Sequence, residues 1–144
     1  MSLTSEIFLP REDGSRHILG MAEDPRPDGT DLAGPESWRT KVWGSPSIRR
    51  IGARFLPALV DVHQSDGHVE AEAEADGDVV TPGQIPAFLD EIALVRAELT
   101  RLATETCSPD RTVEQHARHI ESRLDAIEAS ARYARRLGGG LLIW

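Results

Sequence analysis

Two histidines three residues apart, His116 and His119, are the first side chains in this sequence that point to chemistry. On a helix they would lie on adjoining faces and offer two imidazoles to a metal. Helical zinc sites more often space their histidines four apart and need a third ligand from elsewhere, here Cys107, His63 or His68. The plainer reading is a pair of boundary histidines on an amphipathic helix, and no metal or other cofactor is expected.

A second constellation is Trp38-Arg39-Thr40-Lys41-Val42-Trp43-Gly44-Ser45-Pro46, which combines two tryptophans with positive charge and leads into a helix start. Free backbone N–H groups there could hold a phosphate or carboxylate. Trp38, Trp43, Ser45, Arg49 and Arg50 are therefore candidate residues for binding an anion or small ligand. The competing reading puts the tryptophans in the core and leaves the arginines solvated. The third constellation is acidic. From His68 to Asp76 the chain alternates strictly, with Glu70, Glu72, Glu74 and Asp76 on one side and Val69, Ala71, Ala73 and Ala75 on the other. Alternation predicts an edge strand, although alanine and glutamate favour helices. Its acids either discourage strand-to-strand aggregation or dock a basic protein.

Nucleophilic catalysis finds no support. There is no Gly-x-Ser-x-Gly elbow, and Cys107 falls at a helix end, where the dipole does not favour a thiolate. No carboxylate stands alone in an apolar stretch that would raise its pKa for acid catalysis. An enzyme is not expected.

The elements that must position these residues follow from spacing. Glu6–Leu9 and Arg16–Leu19 flank Asp13-Gly14 and predict a hairpin. Residues 22–37 are rich in proline and glycine and predict a long surface loop. Ser45-Pro46 predicts a helix start, with Ile48, Ile51, Phe55 and Leu56 on one face and Pro57 closing or kinking it. Thr81-Pro82-Gly83-Gln84 and Thr112-Val113-Glu114-Gln115 have the spacing of capping boxes. After the first, Ile85, Phe88, Ile92, Val95, Leu99 and Leu102 recur in alternating steps of three and four; after the second, Val113, Ala117, Ile120, Leu124, Ile127, Ala131 and Ala134 do the same. Gly138 is placed to end the second helix in a left-handed conformation. Two long helices joined by a short connection pack as an antiparallel hairpin. The apolar end, Leu141-Leu142-Ile143-Trp144, predicts a last strand buried in the sheet. The sum is a single α+β domain over 1–144: a small, mostly antiparallel sheet packed by a C-terminal helical hairpin.

The pairing of Trp38 and Trp43-Gly44-Ser45-Pro46 with Gly138-Gly139-Gly140-Leu141-Leu142-Ile143-Trp144 resembles small bacterial proteins in which a triple glycine and an apolar tail follow a long amphipathic helix. The resemblance covers those two ends and the helical hairpin between them. It implies the fold and brings no activity or site residues with it.

Composition bounds the function. The chain has 144 residues, a net charge of −8 and one cysteine, which excludes an internal disulfide. No stretch approaches the ~20 apolar residues of a membrane span. Met1 to Pro10 lacks a basic region followed by an apolar run, so no secretory signal is read and the cytoplasm is expected. One lysine against fifteen arginines suggests GC-rich bacterial coding. Charge is segregated: residues 37–60 hold five bases and no acid, and residues 61–80 hold seven acids and no base. The acidic whole disfavours nucleic acid. The expected function is an acidic protein-binding module, an immunity- or antitoxin-like neutraliser of a basic partner. A structural homo-oligomer and a small-anion binder at Trp38–Arg50 are the alternatives.

Overall fold

The C-terminal strand sets the layout. The structure, a computed structural model, describes residues 2–3, 5–10, 16–18, 33–60 and 79–143. Strand β5 (Gly140–Ile143) runs antiparallel to β2 (Ser5–Pro10), with Ser5 opposite Ile143 and Phe8 opposite Gly140. On the other edge of β2 lies β3 (Arg16–Ile18), with Phe8 opposite Ile18. Both the expected hairpin and the expected terminal strand are therefore present, in the order β3-β2-β5. Val80 exchanges backbone hydrogen bonds with Leu141 at 2.8 and 2.9 Å, so β5 has a partner on each side. Its four residues are all buried, which is why it is apolar without alternation.

The stretch 22–37 is not loop throughout. Its end forms β4 (Gly34–Pro35), paired with β1 (Ser2–Leu3), and the Ala33 N–H donates to the Leu3 carbonyl at 3.1 Å. Gly34 takes φ +117°, open to glycine and strained for other residues, and any Cβ there would meet the Trp38 ring.

Three short helices follow: α1 (Trp38–Lys41), α2 (Pro46–Ile51) and α3 (Phe55–Val60). Ser45 caps α2 as expected, its Oγ accepting from the Ile48 N–H at 3.2 Å. The helix ends at Gly52 rather than Pro57, because Gly52 adopts φ +118° and its N–H closes on the Arg49 carbonyl. Pro57 then sits in the first turn of α3, where a missing N–H costs nothing.

The helical hairpin is made of α4 (Ile85–Ala97) and α5 (Leu99–Thr106) against α6 (Val113–Leu137). Both capping boxes form: Gln84 Oε1 accepts from the Thr81 N–H, and Gln115 Oε1 from the Thr112 N–H, each at 3.0 Å. Gly138 ends α6 at φ +73°. The expected single helix from 85 onward is interrupted at Glu98, whose N–H is shared between the Leu94 and Val95 carbonyls; nothing in the local sequence explains the break. Ile85, Phe88, Ile92, Val95 and Leu102 face Ile120, Leu124, Ile127, Ala131 and Ala134 in one core with Trp43, Leu56 and Leu141. Helix α6 crosses β2 and β5, and the Ser5 and Ser130 hydroxyls meet there at 3.1 Å. The fold is α+β, a small antiparallel sheet packed by the C-terminal helices.

Candidate functional site

The capping box at Thr112 fixes where α6 begins and therefore where His116 points. One turn into the helix, it reaches back to the last turn of α5. Thr106 Oγ1 donates its only hydrogen to the Leu102 carbonyl at 2.8 Å, so the 2.9 Å contact between Thr106 Oγ1 and His116 Nε2 must be donated by the imidazole. This pins the proton on Nε2 and leaves Nδ1 as a bare lone pair. His116 is only 3% exposed, and its Nδ1 is buried with no hydrogen-bond partner. His119 Nδ1 lies 3.1 Å from Arg111 Nη1; a guanidinium only donates, so His119 accepts there.

Trp38 of α1 closes the cluster. Its ring meets His116 edge-to-face at 5.7 Å, His119 at 4.8 Å and Trp43 at 5.6 Å between centroids. Burial holds the His116 pKa below its ordinary value, and the Arg111 guanidinium and His119 add to that. The ring is therefore a neutral base sealed in an aromatic setting. Among the described residues no group of three or more histidine, cysteine, aspartate or glutamate side chains could hold a metal ion. Cys107 is partly buried, with Sγ 3.3 Å from the Ser108 and Arg111 carbonyl oxygens.

The five residues of the candidate ligand segment do not make one open site. Trp38 and Trp43 are both buried, and the Trp43 indole N–H donates to the Ala33 carbonyl at 2.6 Å. Ser45 Oγ accepts from Ile48 and donates to the Val42 carbonyl at 2.7 Å, so its only hydrogen is committed within the fold and its oxygen caps α2. The rings and the hydroxyl thus serve packing and capping rather than stacking on an incoming ligand. Arg49 is exposed on α2, and Arg50 reaches Glu105 of α5 at 3.2 Å. Glu70, Glu72, Glu74, Asp76, His63 and His68 lie outside the described residues.

Two charged side chains are buried against expectation: Arg39, which belongs to the positively charged segment read as solvated, and Glu91. Arg39 donates from Nε to Glu36 at 2.7 Å and from Nη1 to the Val60 carbonyl at 2.9 Å, tying α1 to the end of α3. Glu91, 7% exposed, accepts backbone N–H bonds from Arg54 at 2.6 Å, Phe55 at 2.9 Å and Leu56 at 2.8 Å. Gly52-Ala53-Arg54 offers no capping side chain before α3, so a carboxylate from α4 supplies it. The available signal was position: Glu91 falls three residues after Phe88 and four before Val95, on the buried stripe.

No protein-family model, curated protein or solved structure matches the chain. No helix among the described residues is long and apolar enough to cross a membrane.

Proposed function

We propose that the chain is a protein-binding module whose acidic run docks a basic protein. The observation that carries this reading is the segregation of charge, with seven acids and no base over residues 61–80. The run leaves α3 at Val60 and re-enters the described fold at Val79, both of them buried. Val60 is held through its carbonyl by Arg39, and Val80 is held by β5. The described residues that flank the run are thus held in the core. A dense block of one sign steers an oppositely charged partner, raises the association rate and makes it salt-dependent. Ser45, Arg39 and Glu91 are engaged in holding the fold together and take no part in this chemistry.

The experiment is affinity capture from cell extract with the wild-type chain and with Glu70, Glu72 and Glu74 all changed to lysine. The retained protein is then purified and its Kd measured against salt concentration. A basic protein held by the wild type, lost by the triple variant and weakened by salt is the expected result. Equal capture by both chains, or an affinity indifferent to salt, overturns the proposal.

A further inference from the structure

We propose that His116 is an acid-sensitive latch, whose protonation releases Trp38 and α1 from the α5–α6 turn while the sheet and the helical hairpin stay folded. The latch has three parts. Thr106 of α5 fixes the ring by accepting from Nε2, because its own hydrogen goes to Leu102. Trp38 of α1 covers the ring edge-to-face. Nδ1 is buried and unpartnered among the described residues, so a proton added there creates an N–H donor with none of their acceptors beside it.

Among the described residues, the charged groups that act on the ring oppose that proton. Arg111, just before α6, and His119, one turn along α6, act on the ring, and both disfavour its cationic form. Thr106 presents only a hydroxyl from α5, and Trp38 presents an indole. On α1, Arg39 is turned to Glu36 and the Val60 carbonyl, and Lys41 is exposed. Asp110, beside Arg111, is engaged with the Ser108 hydroxyl. The added charge is relieved by opening the contact to water, and the contact that opens is the one with Trp38.

The test is a pH titration of the full chain from 7.5 to 4.5, following the tryptophan indole N–H signals by NMR and the helix content by circular dichroism. The Trp38 signal is expected to shift with a midpoint below 6.5, the ordinary histidine value, while the Trp43 indole and the helix content hold. His116→Gln is expected to abolish the shift, because glutamine can still donate to Thr106 and does not titrate. Should that variant fail to fold, Arg111→Gln serves instead: removing the cation raises the midpoint. A Trp38 signal that stays put to pH 4.5 overturns the latch. So does a shift that moves together with Trp43 and the helix content, one that survives His116→Gln, or one whose midpoint ignores Arg111→Gln.

Discussion

Replacing Glu91 tests how the short helices are held to the long ones. Its carboxylate accepts three backbone N–H groups at the start of α3, at 2.6, 2.9 and 2.8 Å, from a position 7% exposed. A hydrogen bond to a charged group contributes about 1.5–3 kcal/mol, and an orphaned buried donor costs about 1–3 kcal/mol. The three bonds share one carboxylate, and water can reach the end of α3 once the side chain is gone. Full additivity therefore overstates the loss, and about 3–4 kcal/mol is expected for Glu91→Ala. Glu91→Gln keeps an oxygen for Arg54 and Phe55 and sets an amide N–H against the Leu56 N–H, which gives about 2 kcal/mol. The neighbouring Asp90 is exposed, and Asp90→Ala should stay within about 0.5 kcal/mol.

The assay is urea unfolding with the slope m held as a check on two-state behaviour. A chain of 144 residues has roughly 7–20 kcal/mol of stability in total, so Glu91→Ala should move the midpoint well outside error. At about 3 °C per kcal/mol it should also lower Tm by about 10 °C. Hydrogen exchange localises the effect: the Arg54, Phe55 and Leu56 amides should lose protection while those of α6 keep it. A loss below about 1 kcal/mol for Glu91→Ala, or a glutamine variant as damaging as the alanine one, would refute the reasoning. Either result would mean that the carboxylate does not hold α3 in solution.

Five further outcomes follow from the structure. A Cβ on Gly140 would collide with the Val80 carbonyl and lie 2.5 Å from Phe8 Cζ, so Gly140→Ala should cost about 2–3 kcal/mol by thermal melting. Gly83→Ala, which meets nothing within 4 Å, should be neutral within about 0.5 kcal/mol. Ser45→Ala removes the α2 cap and should cost about 1 kcal/mol in urea. Arg96 binds Asp125 at 2.6 Å and Glu128 at 2.5 Å across α4 and α6 at the surface; Arg96→Gln should cost less than about 1 kcal/mol and less still at high salt. Because the folded His116 pKa is lowered, the unfolded chain binds more protons below 6.5. The His116 contribution to Tm should be fully present above that pH, fall as pH drops through the lowered folded value, and vanish in His116→Gln.

What could be read from the sequence was whatever depends on near neighbours. Thr81 with Gln84, Thr112 with Gln115, and Gly138 after the last turn are signals that span four residues or fewer, and all three operate as expected. The stripes of α4, α5 and α6 are period arguments and the unbroken apolar end of β5 is a burial argument, and both held because burial is what sets each pattern. What could not be read depends on contacts distant in sequence. Ile48, Ile51, Phe55 and Leu56 read as one helical face running to Pro57, yet the positive φ of Gly52 separates α2 from α3, and the helix that follows is capped from 37 residues away by Glu91. The triple glycine makes the same point. Gly138 needs a left-handed backbone, a local fact; Gly139 and Gly140 are small because the backbones of β2 and of Val80 come too close for a side chain.

The candidate site was harder to read than the fold for a physical reason. The residue types that do chemistry are the ones that satisfy buried backbone groups, and the sequence does not say which task each performs. Serine before proline is an anion site or a helix cap; here the Ser45 hydroxyl both donates and accepts inside the fold, which settles it as a cap. Tryptophan beside arginine is a stacking platform or core; the Trp43 N–H bound to Ala33 and the Arg39 guanidinium bound to Val60 make this pair core. Counting donors against acceptors in this way leaves His116 different from the others. Its Nε2 hydrogen is committed to Thr106, and its Nδ1 lone pair meets no donor. A buried acceptor left open costs stability, and asparagine or leucine at that place would carry no proton-dependent penalty. An imidazole there gives the contact between Trp38 and the α5–α6 turn a dependence on pH that no non-titrating side chain would give it.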